Sequence, residues 1–272
     1  LIQFFKLMEK KVALIIGAGD SLGSSVARVF AKDGYIIVAA RRNGSELDKL
    51  KKEIESKNGE CHTFSLDARK EEDVIKFIET IEQDVGPISV AVYNIGANIK
   101  YNILETTSRK YFKVWEMAAF GAFLMGREVA KYMVSRKEGT IIFTGATASI
   151  RGKEGFAAFA GAKHAKRALA QSMARELGPK GIHVAHIIID GAIDTPWVNK
   201  LFPNYVKQSV EVAKGFQKIG VKTKMTQFGG GGGKANLSSS WTGWGGTNGT
   251  PKTDMYTNNY NISLKKKGGS QL

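Results

Sequence analysis

Short apolar runs alternate along this chain with longer stretches in which apolar residues recur every third or fourth position. Residues 12–16 (VALII) form an unbroken apolar run, the pattern of a strand buried on both faces. After a glycine-rich turn, Leu22, Val26, Val29 and Phe30 fall at helical spacing, and Gly34 ends that helix. Strands are expected at 35–40, 61–66 and 88–93, with helices at 47–56 and 74–81 between them; Asn94-Ile95-Gly96 stops the fourth strand. A long helix with a break is expected over 108–134, then a fifth strand at 140–144. A helix over 156–177, ended by Gly178-Pro179, leads to a sixth strand at 182–189. Strict alternation of strand and helix predicts an α/β fold: a doubly wound parallel sheet with right-handed crossovers and helices on both faces.

The pattern changes near residue 205. Residues 206–219 read as one more helix, and beyond about 225 neither strand nor amphipathic helix is legible. Thirteen of the 31 glycines follow position 200, five of them consecutive from Gly229 to Gly233, and Lys265-Lys266-Lys267 closes a polar stretch. The expected organisation is one dinucleotide-binding domain over 8–205, followed by a lid remnant and a disordered tail over 206–272. A frame change or alternative exon in the message is the hypothesis that would explain both the composition shift and the absence of a final strand. At the other end, seven residues precede Met8. Two readings stand equal there: an upstream extension before a natural start at Met8, or a short amphipathic arm. A secretory signal needs a longer apolar stretch and a small-residue cleavage site.

Composition adds three exclusions. The chain has 272 residues and a net charge of +15, of which eight charges fall in 201–272, where ten lysines meet only Glu211 and Asp254. No compact basic helix with interleaved aromatics occurs elsewhere, so the excess reads as a solvated tail and not as a specific nucleic-acid surface. No apolar run approaches the roughly 18–20 residues needed to cross a bilayer. Cys61 is the only cysteine; this rules out an internal disulfide and suits the cytoplasm.

Gly17-Ala18-Gly19-Asp20-Ser21-Leu22-Gly23 joins the first strand to the first helix. Glycine permits a sharp turn and close backbone approach, and the helix N-terminus offers unpaired N–H groups to a pyrophosphate. The spacing is one residue longer than G-x-G-x-x-G. At the end of the second strand stands Arg41-Arg42 rather than an acid, which favours NADP over NAD because arginine accommodates a 2′-phosphate. Asp20 places opposing charge near the phosphates.

Together these segments resemble the short-chain dehydrogenase/reductase family over about residues 10–197. Gly17, Ser21 and Gly23 match its Thr-Gly-x-x-x-Gly-x-Gly run, with Ile16 for the threonine and Ser21 for the middle glycine. Asp67 matches its adenine-contacting aspartate, and Asn94-Ile95-Gly96-Ala97 its Asn-Asn-Ala-Gly turn. Lys163 matches the lysine of Tyr-x-x-x-Lys, and Asp190 to Thr195 the Pro-Gly segment that lines the nicotinamide. The resemblance implies that Gly17, Gly19, Ser21, Leu22, Gly23, Arg41, Arg42, Asp67, Asn94, Gly96, Lys163, Ile193 and Thr195 hold the cofactor, with the Ile193 backbone and the Thr195 hydroxyl on the carboxamide. It also implies a homodimer or homotetramer, for which the alanine-rich helix at 157–177 is suited.

The departures fall on catalysis. Phe159 stands at the family's proton-donating tyrosine, Ala146 at its serine and Ala118 at its asparagine. A positioned general acid contributes roughly 10²–10⁴ in rate, so ordinary ketone reduction is expected to be very weak. Thr144, Thr147 and Ser149 carry nearby hydroxyls. Lys163 as a direct proton donor and Thr147 as a hydroxyl that orients a carbonyl are the candidate catalytic residues. Phe156, Phe159, Trp197 and Phe202 are candidates for an apolar substrate cleft; His164, His183 and His186 read as surface or structural. Two functional readings result. One is an NADP-dependent oxidoreductase acting on a small apolar carbonyl or activated alkene, and the other a catalytically silent nucleotide-binding or interaction protein.

Overall fold

The computed structural model describes residues 11–189 and, beyond them, four two-residue strands. Six parallel strands form one sheet: β1 (Val12–Ile16), β2 (Ile36–Arg41), β3 (Cys61–Ser65), β4 (Ile88–Tyr93), β5 (Gly139–Ala146) and β6 (Ile182–Ile189), in the order β3-β2-β1-β4-β5-β6. The helices are α1 (Leu22–Lys32), α2 (Asp48–Glu55), α3 (Glu71–Thr80), α4 (Ser108–Trp115), α5 (Gly121–Arg136) and α6 (Ala157–Leu177). This is the doubly wound α/β arrangement that the sequence predicts.

Strand alternation divides the core into two layers. On one face Leu14, Val38, Ala91, Phe143 and Val184 meet α3, α5 and α6 through Phe77, Leu124, Met125 and Ala170. On the other, Ile15, Ile37, Val92, Ile142 and Ile187 meet α1 and α2 through Val26, Phe30, Leu50 and Ile54. Strand order reverses between β1 and β4, so the carboxyl ends of these two strands open a crevice, the usual ligand position in such sheets.

The break expected in the long helix is a π-turn at Glu116–Phe120 between α4 and α5. Its cause is Tyr93, fully buried at the end of β4, whose hydroxyl donates to the Met117 carbonyl at 2.7 Å. A Cβ at Gly121 would lie 2.1 Å from that hydroxyl, so glycine makes room for it.

Two readings are corrected past β6. Val206–Lys207, expected to begin a helix, is a short strand (β8) in parallel register with β7 (Ala192–Ile193). Ladder pairing with a neighbouring strand replaces the local helical preference there. Met255–Tyr256 (β9) and Asn261–Ile262 (β10) pair antiparallel where no strand is expected. The rest of the expected helix at 206–219, Met8 and the residues before it, and most of the tail lie outside the described residues.

Candidate cofactor and active site

The turn after β1 is tied to both neighbouring strands. The N–H groups of Gly17 and Ala18 donate to the Ala40 carbonyl at 2.8 and 3.2 Å. Asn94 donates from its backbone N–H to Ile16 O at 2.8 Å and from its side-chain amide to Gly17 O at 3.0 Å. Gly17 has a φ of +90°, and a Cβ there would sit 2.9 Å from the Asn94 carbonyl carbon. A Cβ at Gly23 would lie 2.3 Å from Gly17 O, so only glycine lets α1 start this close to the turn. At Gly19 a Cβ would meet no atom within 4 Å: the backbone faces open space.

The start of α1 suits an anion. No acidic residue stands in the first turn, and the Ser24 N–H is already met by the Gly19 carbonyl at 2.9 Å. The first N–H groups of a helix have no intrahelical partner and carry the positive end of its dipole. Open space at the Gly19 Cα beside the N-terminus of α1 is a cradle into which a pyrophosphate fits.

At the end of β2 the two arginines separate. Arg41 is three-quarters buried; it donates to Asp20 Oδ1 at 3.0 Å and pairs with Glu46. Asp20, which from sequence opposes a phosphate, is thus compensated by Arg41. Arg42 is exposed, and its charge acts on Asp67. Asp67 accepts from Arg69 through both carboxylate oxygens, with Nε at 2.8 Å. These bonds, with the Arg42 charge as a lesser contribution, hold its carboxyl below the usual carboxylate range.

Lys163 lies on α6 and is 5% exposed, with Nζ donating to the Thr144 carbonyl at 3.1 Å. Burial pulls its pKa down to about 8. Its Nζ stands 5.5 Å from the centre of the Phe159 ring. Gly96 closes the group: a Cβ there would lie 3.3 Å from Lys163 Nζ and 4.0 Å from the Phe159 ring. Asn94, Gly96, Phe159 and Lys163 therefore come together as the sequence suggests. Phe156 packs 6.5 Å from Phe159, ring centre to ring centre.

Thr144 and Ser149 have partners within the fold. Thr144 is buried and donates to Tyr93 O at 3.1 Å. Ser149 is fully buried and accepts from the Ala146 N–H at 3.1 Å. Thr147 begins the short 3₁₀ turn Thr147–Ser149, half-buried, against which α6 packs. Ala118 is buried within the π-turn. Ile193 pairs in register with Lys207, while Thr195, Trp197 and Phe202 lie outside the described residues.

Sequence reasoning passes over Lys166, which has no exposed surface. Its Nζ donates to the Ile95 carbonyl at 3.0 Å and lies 5.3 Å from the centre of the Tyr93 ring. The signal available was its place three residues after Lys163 on one helical face. His186 lies beneath, its ring across Gly145, with both ring nitrogens buried and without partners. Burial first, then the neighbouring lysines, pushes it well below the usual histidine range, so it is neutral. His164 faces outward on α6. Among the described residues no group of three His, Cys, Asp or Glu side chains is placed to hold a metal, and no helix is long and apolar enough to cross a membrane.

Comparison with known proteins agrees with this geometry. A family model described as short chain dehydrogenase matches residues 11–206. A 3-oxoacyl-[acyl-carrier-protein] reductase of Thermotoga maritima is 27% identical over 194 residues, covering 71% of this chain and 78% of that protein. A short-chain dehydrogenase from Rhodopseudomonas palustris superposes with a TM-score of 0.68 at 46% identity, covering 77% of this chain and 90% of that one. Actinorhodin polyketide ketoreductase with NADPH superposes with a TM-score of 0.72 at 22% identity, covering 78% and 90%, a likeness of fold.

Proposed function

The chain belongs to the short-chain dehydrogenase family, and from that premise we propose that it is an NADP-dependent oxidoreductase acting on a small apolar carbonyl compound or, better, an activated alkene. The observation that carries this reading is the close glycine turn at the N-terminus of α1, with open space at Gly19, and Lys163 and Gly96 gathered at the same end of the sheet. The backbone from Gly17 to Gly23 takes the pyrophosphate. Arg42 takes the 2′-phosphate, since the charge of Arg41 is already met by Asp20 and Glu46. Asp67, Asn94, Ile193 and Thr195 complete the cofactor contacts that the family resemblance implies. A fold relative whose structure contains NADPH supports the phosphorylated form.

NADPH, when bound, supplies a hydride to an electrophilic carbon of the substrate. The chain's own residues supply the rest. Lys163 Nζ holds a ribose hydroxyl or gives its proton to the substrate oxygen. Thr147 orients that oxygen, and Phe156 and Phe159 form an apolar wall that excludes water. A conjugated alkene suits the site because solvent can protonate the enolate left after hydride addition, so no tyrosine is needed. The buried thiol Cys61 fits a reducing compartment such as the cytosol. We expect a homodimer or homotetramer formed through α6, to be read by sedimentation.

A second reading, a silent nucleotide-binding protein, is favoured by one observation: Phe159, Ala146 and Ala118 place no polar side chain where the resembled family has three. Fluorescence titration with NADPH and an NADPH-oxidation screen of ketones and enones decide between them. Binding with turnover of an enone supports the oxidoreductase. Binding without turnover on any compound supports the silent protein, and absence of binding defeats both.

A further inference from the structure

The loop that follows β4 touches both halves of the candidate site. Pairing of β4 with β1 and with β5 stops at Tyr93, and residues 94–100 form neither helix nor strand. Asn94 ties the start of the loop to Ile16 O and Gly17 O. Further on, the Ile99 N–H donates to Ala97 O at 2.9 Å and the Tyr101 N–H to Gly155 O at 2.8 Å. Ile95 and Gly96 lie between these anchors and past the strand ladder. A Cβ at Gly17 would stand 3.0 Å from both the backbone N and the Cγ1 of Ile95, and one at Gly96 would stand 3.3 Å from Lys163 Nζ. Ile95 therefore packs on the phosphate turn, and Gly96 on Lys163.

The peptide between them is held from α6. Lys166 Nζ donates to the Ile95 carbonyl at 3.0 Å, from a side chain with no exposed surface. Three residues earlier on the same helical face, Lys163 Nζ donates to Thr144 O at 3.1 Å. One helix thus reaches two neighbouring strands, β5 at Thr144 and β4 just past its last residue. An apolar side chain of the same length would fill the space under the loop at a lower desolvation cost. What the lysine adds is a donor on a four-carbon stem, long enough to meet a carbonyl that the strand ladder no longer serves.

We propose that Lys166 is a positioning residue for the cofactor site: its hydrogen bond to the Ile95 carbonyl fixes the Ile95–Gly96 peptide, and so sets Gly96 against Lys163 and Ile95 against the Gly17 turn. It acts through Ile95 on two parts of the site at once. The cofactor role rests on the function proposed above; the tether itself does not.

The test compares the full chain with Lys166→Met by NADPH titration, urea unfolding and amide hydrogen exchange. Methionine keeps the stem and removes the donor. NADPH affinity should fall about 10-fold, the worth of one hydrogen bond, with no loss of stability. Exchange at the Asn94 and Ile99 amides, which are bonded to Ile16 O and Ala97 O, should quicken by about the same factor, while amides within β1 and β5 keep their protection. Lys166→Gln, which retains an N–H donor one bond shorter, should recover part of both. Unchanged affinity and unchanged loop exchange in Lys166→Met would mean that the side chain only packs, and faster exchange spread through the sheet would mean a general loosening; either overturns the proposal. Failure of the unaltered protein to bind NADPH would defeat the proposed function and, with it, the cofactor role of Lys166; unchanged binding in Lys166→Met alone defeats this inference and leaves that function standing.

Discussion

Replacing Lys166 by methionine should make the protein more stable. Methionine keeps the length and apolar stem of the side chain while removing an amine that folding strips entirely of water. A buried charge or unpaired amine exchanged for an apolar side chain of similar volume is typically neutral to about 1–4 kcal/mol stabilising. The lost bond to Ile95 O leaves a buried carbonyl unsatisfied and returns about 1 kcal/mol of that gain. The expected net is about 0–3 kcal/mol at neutral pH.

The pH dependence carries the sharper test. Lys163 titrates near 8 in the folded protein against 10.5 for a free lysine. Below pH 8 it is charged in both states, and the folded state bears the full cost of burial. At about 1.4 kcal/mol per pH unit, that gap is worth roughly 3 kcal/mol. Between the two values the unfolded chain binds more protons, so stability rises with pH. Lys166 is shifted further in the same direction, so its window opens at lower pH and closes at the same upper end. Cys61, pushed up to about 11, and Tyr93, also raised, act oppositely in alkali, but both remain in the variant and cancel in the difference. Urea unfolding of both proteins from about pH 6.5 to 9.5 should show an advantage for Lys166→Met that shrinks as pH rises. A destabilised variant, or an advantage indifferent to pH, would refute the reasoning.

Three further outcomes are expected. Gly23→Ala should abolish detectable NADPH binding and lower stability by about 1–3 kcal/mol, because its Cβ would press on Gly17 O at 2.3 Å; calorimetry and urea melts read both, and unaltered binding would remove the turn from the site. Arg42→Asp should weaken NADPH about 10–100-fold while sparing NADH, the worth of a charge-assisted contact; equal weakening of both would place the 2′-phosphate elsewhere. Phe159→Tyr should raise ketone reduction by up to about 10²–10⁴, and an unchanged rate would mean that the hydroxyl does not reach the reacting oxygen.

The limits of the sequence are instructive where they fall. Strands β1, β4 and β6 were legible to the residue because they are buried on both faces, so sequence pattern and burial coincide. The break after α4 was legible only as a break. Its form depends on Tyr93, 24 residues away, and on the missing Cβ of Gly121, which no local pattern encodes. The turn at Gly17–Gly23 was readable because its demands, a positive φ and close backbone approach, are local ones that glycine alone meets. The fate of Arg41 was not, since Asp20 reaches it from the turn after β1 and Glu46 from the next turn.

Lys166 marks the deepest gap. A lysine in an alanine-rich helix reads as a solvent-facing residue, and pattern reasoning assigns it no further role. Yet Lys163, Lys166 and Ala170 share one side of α6, and the sheet covers all three. Once the fold is known, the same residue becomes a fully buried amine that donates to the Ile95 carbonyl, three residues along the helix from the buried Lys163. Burial disfavours the charged form of such an amine, and a group able to give up or accept a proton near neutrality is what a site with phenylalanine at position 159 otherwise lacks. The anomaly in packing and the gap in the chemistry therefore point to the same two side chains.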